Sequence, residues 1–137
     1  MNNAASSVVA LESKQSQPIK VASDITIDVS EGIVQLGSLG CEDCSVLLYS
    51  IVDKTLATFS YAGGNLSADS SLDLAQHPTY YFNLASKTDN HGELYFALSI
   101  VIYGQQEVLL MNIREEEQAK SAIASLSLME HGSLAVH

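Results

Sequence analysis

The chain has 137 residues, 47% of them apolar and only 16% charged, with 16 acidic against 6 basic side chains and a net charge of −10. That length is enough to bury a core without disulfide or metal staples, and the charged fraction is well under the roughly 25% of ordinary soluble domains, so apolar surface is left over for another chain. A homodimer is the simplest such arrangement, since a symmetric patch pairs with itself. The negative balance, with no cluster of Lys or Arg, excludes nucleic acid and anionic membrane surfaces as partners and favours a basic protein.

Residues 1–18, rich in Ser and Gln, read as a flexible arm, and their lack of a basic start and a long apolar run predicts a cytoplasmic protein without a secretory signal. From Ile19 the pattern alternates: Ile19, Val21, Ile25, Ile27 and Val29 point one way and Lys20, Asp24, Thr26, Asp28 and Ser30 the other, which predicts one long strand. Glu31-Gly32 turns it into a second strand over Ile33, Val34 and Leu36, ended by the glycine-punctuated residues 37–40. Cys44 to Tyr61 fits two periods. A helix would place Cys44, Leu47, Leu48, Ile51, Val52, Leu56 and Phe59 on one face; a hairpin of Val46–Val52 and Leu56–Tyr61 suits the Val, Ile, Tyr, Thr and Phe content better.

Gly63, Gly64 and Asn65 end that unit, and the Ser/Asp-rich residues 65–76 read as a loop with a short helical turn before Pro78. Thr79–Ala85 is a further strand, and residues 86–92 form a long hairpin loop. Glu93 to Ile113 is the most β-prone stretch, a central hairpin about Gly104-Gln105. Gly104, Gln105, Gln106 and Glu107 at its middle exclude a membrane span. On its first strand Leu94, Phe96, Leu98, Ile100 and Ile102 are expected to face the core. Tyr95, Ala97, Ser99, Val101 and Tyr103 form a second apolar face, for another chain or the terminal helix. The last element is a helix capped by Asn112, with Glu115, Glu116 and Glu117 near its start, a buried stripe of Ala119, Ala122, Ile123, Leu126 and Met129, and Gly132 as its stop. Residues 19–132 thus make one globular domain, and 133–137 a tail.

The expected class is α+β, β-rich: a mostly antiparallel sheet or partly open barrel of about seven strands closed by one C-terminal helix. This element order resembles pleckstrin-homology-type barrels, and also profilin-like or roadblock-like sheets. The absent basic loop argues against phosphoinositide binding in either case.

Cys41-Glu42-Asp43-Cys44 is the sharpest short motif. If Cys44 opened a helix, the strand, the cysteine pair and the helix, with His77-Pro78-Thr79-Tyr80 as a proline-threonine turn, would resemble a thioredoxin-like α/β protein. Cys41 and Cys44 would then be the redox pair, with Pro78 opposite. Glu42 and Asp43 work against a reactive thiolate, and the chain has no tryptophan, so two ordinary cysteines are the favoured reading. His77, His91, Asp89 and Glu93 have no diagnostic metal spacing, and Asp69, Ser71 and Asp73 lack the glycine and closing glutamate of a calcium loop. No nucleophile elbow, phosphate loop or dinucleotide fingerprint occurs, so no catalytic residue, metal or cofactor is assigned. The expected function is therefore a non-enzymatic binding or adaptor domain. Candidate ligand- or partner-binding residues are His77, Tyr80, Tyr81, Asn83, His91, Tyr95 and Tyr103, because aromatic faces with hydrogen-bonding tips suit a small-ligand pocket or a protein contact.

Overall fold

The computed structural model describes residues 19–38, 44–77, 79–105 and 107–130, with residues 128–130 described by their backbone alone. The arm at 1–18, Cys41, Pro78, the tail and the expected stop at Gly132 lie outside the described residues, as does the side chain of Met129. The chain order is β1 (Ile27–Ser30), β2 (Ile33–Leu36), β3 (Cys44–Ser50), β4 (Thr55–Ala62), β5 (Asn65–Asp73), a single 3-10 turn (Leu74–Gln76), β6 (Tyr80–Thr88), β7 (Leu94–Ile102), β8 (Glu107–Ile113) and α1 (Glu116–Glu130).

β1 to β5 form one antiparallel sheet in sequence order, and β6 to β8 form a second. The protein is thus β-rich α+β, with two antiparallel sheets and one C-terminal helix, and it does not close into a barrel. Each sheet is a meander, its strands lying side by side in chain order. Glu31 and Gly32 both have positive φ, 50° and 78°, the geometry that matches strand twist in a two-residue hairpin turn, and Ser30 faces Ile33 across it. Just after β2, Gly37 stands at φ 95° where a Cβ would strike the Ser45 carbonyl, so only glycine lets β2 and β3 run this close.

The core lies between the two sheets. Val34, Leu36, Leu47, Tyr49 and Leu56 come from the first, and Phe82, Phe96, Leu98, Ile100, Ile102, Met111 and Ile113 from the second. Each fully buried Leu or Ile contributes about 1.5–3 kcal/mol by leaving water. Aromatic rings join the sheets: Tyr49 meets Phe82 edge-on at 5.3 Å between centroids, and the Tyr49 and Tyr80 hydroxyls share a hydrogen bond of 2.8 Å. α1 closes the core with Ala119, Ala122 and Leu126, touching β6, β7 and β8 of one sheet and β2 of the other.

The structure resolves the ambiguous segment as the hairpin β3–β4, paired from Cys44–Tyr61 to Ser50–Thr55. A thioredoxin-like α/β arrangement is therefore overturned, since Cys44 opens a strand where that fold needs a helix; the residue is disulfide-bonded. Five further expectations change. Ser86–Thr88 continue β6 and so leave the expected 86–92 loop, and Leu94, expected to face the core, is half exposed at the start of β7. The strand from Ile19 is not continuous: Ala22 bridges Ile113 in parallel alongside β8, and only Ile27–Ser30 joins the sheet. Residues 65–73 form β5, and only Leu74–Gln76 make the expected helical turn. Asn112 belongs to β8 and donates to the Lys20 carbonyl, while Glu115 supplies the first helical acceptor, to the Ala119 N–H. The helix rests on the core side of β7, so the face of Tyr95 and Ser99 is not where it lies.

Candidate functional site

Strand alternation puts Phe96, Leu98, Ile100 and Ile102 of β7 into the core and its odd residues on the outward face of the β6–β7–β8 sheet. The register then defines that face as rows. Tyr81, Val101 and Glu107 make the first, and Asn83, Ser99 and Leu109 the second. Ala85, Ala97 and Asn112 form the third, and Lys87 lies beside Tyr95 in the fourth. A register shift between Leu98 and Ser99 keeps both Leu109 and Asn112 on this side although they stand three positions apart.

The rows differ in exposure. Ala97 and Tyr95 are buried, at 6% and 7% exposed, and the chain at Lys20 runs past the edge of their rows, where Asn112 holds it. In the first two rows Tyr81 and Leu109 are 55% and 56% exposed, and Tyr103, continuing the β7 line into the turn, is 81% exposed. Its N–H donates to the Thr79 carbonyl at 3.0 Å, so the ladder extends one step beyond the strands and fixes the backbone there.

A fixed carboxylate sits among these apolar side chains. Ser99, itself buried, donates its hydroxyl to Glu107 Oε2, and Asn83 Nδ2 donates to the same oxygen at 3.3 Å. The Ser99 hydroxyl, and next the Asn83 amide, hold the Glu107 carboxyl below its ordinary range; partial desolvation opposes them and the Lys87 charge adds to them. Among the described residues no donor reaches Oε1. Glu107 is thus ionised, oriented and half engaged, a negative point beside Tyr81, Val101 and Leu109.

The candidate residues from the sequence divide between several places. Tyr81, Asn83, Tyr95 and Tyr103 share this outward face. Tyr80 turns inward to Tyr49, and Phe82 beside it is core, so the His77–Asn83 run does not line a single pocket. His77 lies before β6, 3.5 Å from Gln105, whereas His91 is in the β6–β7 turn at the far end of the strand. The nine residues of β6 separate them, roughly 30 Å when extended. Among the described residues, no three His, Cys, Asp or Glu side chains converge as a metal-binding group, and no helix is long and apolar enough to cross a membrane.

Sequence reasoning placed Ser99 on the second face of β7 but did not single out Glu107 or Leu109. Glu107 stands beside turn residues and Leu109 in an apolar strand; only the shifted register brings them together with Asn83. A comparison with protein-family models, curated proteins and solved structures returns no match for this chain.

Proposed function

We propose that the chain is a non-enzymatic protein-binding domain that engages its partner through the first two rows of the outward β6–β7–β8 face. The observation that carries this reading is the exposure of Tyr81, Leu109 and Tyr103 on a backbone held rigid by paired strands, around an oriented carboxylate. Large apolar and tyrosine side chains in water cost free energy that a partner recovers, and tyrosine orders few torsions when it binds. The reading includes a cytoplasmic location.

Charged side chains placed in this face test it. The Tyr81→Asp/Leu109→Asp double variant keeps its fold, because both positions are exposed, and is expected to elute alone from extracts of the source cells, while the wild type elutes at constant stoichiometry with a partner. Equal partner recovery by the two proteins, at matching melting temperatures, would remove the face from the binding function.

A further inference from the structure

Glu107 narrows the chemistry of the partner. Buried Ser99 and half-buried Asn83 spend their donors on one oxygen, so the carboxylate is held in place before anything binds and little side-chain entropy remains to be lost. Among the described residues its second oxygen has no donor, and its flanks are Tyr81, Val101 and Leu109. An apolar partner surface placed over this point would desolvate a carboxylate with nothing in return, which is strongly unfavourable. A partner that brings a cation to Oε1 avoids that cost and gains a charge-assisted hydrogen bond.

The charge of the whole chain points the same way. At −10, two copies repel each other at long range, and Lys87, in the fourth row, is the only cation the rows of this face carry. A second copy therefore suits the first two rows less well than a basic segment does. We propose that the partner presents a Lys or Arg flanked by apolar side chains, the cation meeting Glu107 and the flanking groups lying over Tyr81, Val101 and Leu109. This inference rests on the protein-binding reading and adds the chemistry of the partner.

Amide chemical shifts of the full chain, titrated with the synthetic peptides Ac-Ser-Leu-Lys-Val-Tyr-NH2 and Ac-Ser-Leu-Gln-Val-Tyr-NH2, test it. The expected result is perturbation at Ser99, Val101, Glu107 and Leu109, with the Lys peptide about ten-fold tighter, the factor ordinary for one charge-assisted bond. Glu107→Gln should abolish that difference and leave the Gln peptide unaffected. Equal binding of both peptides at this face would overturn the cation pairing and leave the protein-binding reading standing. Perturbation confined to other acidic surfaces, or none, would overturn both. Shifts at this face that grow with protein concentration alone would mean that a second copy occupies it, and would overturn the basic partner.

Discussion

Asp89 is the residue on which the β6–β7 turn closes. Its carboxylate accepts the His91 and Glu93 backbone N–H groups, each at 2.9 Å, and Arg114 Nη2 reaches it at 3.2 Å from the junction between β8 and α1. The same guanidinium donates to the Leu94 carbonyl, so one side chain ties the turn, the start of β7 and the approach to the helix. The Glu93 N–H above all holds the Asp89 carboxyl below its ordinary value; desolvation opposes this, and the His91 N–H and Arg114 support it. Folded Asp89 therefore binds a proton less tightly than unfolded Asp89. Its contribution is fully present above the unfolded value, about 3.9, and is lost as pH falls through the lower folded value. Asp89→Asn is expected to lower the urea midpoint at about pH 6 and to flatten its decline below about pH 4; a variant with the wild-type pH profile would show that the turn does not depend on this charge. The sequence showed a polar hairpin loop here, with Asp89, Asn90 and Gly92 in it. It could not show Arg114, 25 residues away along the chain and brought to Asp89 only by the folded hairpin.

Legibility at the scale of elements followed burial. β7 was plain because strand propensity and burial coincide from Tyr95 to Ile102, and the helix was plain because acidic residues open it and Ala119, Ala122 and Leu126 keep its period. β5 was hidden for the opposite reason. It is an edge strand, exposed over most of its length, and Asn65–Asp73 carries no apolar alternation because neither face must be buried; the Gly63-Gly64 turn and pairing to β4 make it a strand. Asn112 was misread as a cap because Asn and a following Glu fit that pattern, while its place in β8 is set by pairing with Ala97. The face of the candidate site was half legible: Tyr95, Ser99, Val101 and Tyr103 share a side by alternation, but the shifted register that adds Leu109 and Glu107 leaves no mark in one sequence. Small side chains let α1 approach the sheet, since Ala119 and Ala122 have no exposed surface. Ala122→Leu is expected to cost about 1–3 kcal/mol by overpacking. Thermal melting checks this, and an unchanged melting temperature would mean that the helix sits further from the sheet.

For the whole molecule, the two sides of the β6–β7–β8 sheet have different tasks. The inner side, with Phe82, Leu98 and Ile100, joins the five-stranded sheet and α1 in the core, while the outer side is covered over Ala97 and Tyr95 and open at Tyr81 and Leu109. The low charge content expected to leave apolar surface for another chain has its counterpart here, beside a carboxylate that a purely apolar partner would leave unsatisfied. The large negative charge repels acidic partners at a distance and speeds the approach of basic ones. A photoreactive phenylalanine analogue placed singly at Tyr81, Tyr103, Ser71 and Ser121 in the source cells tests the central claim most directly. The first two positions lie on or beside the open rows, and the others are exposed on β5 and α1. Adducts to one protein of constant mass from Tyr81 and Tyr103, and none from Ser71 or Ser121, are the predicted result. Equal labelling from all four positions, or labelling from Ser71 and Ser121 alone, would contradict it.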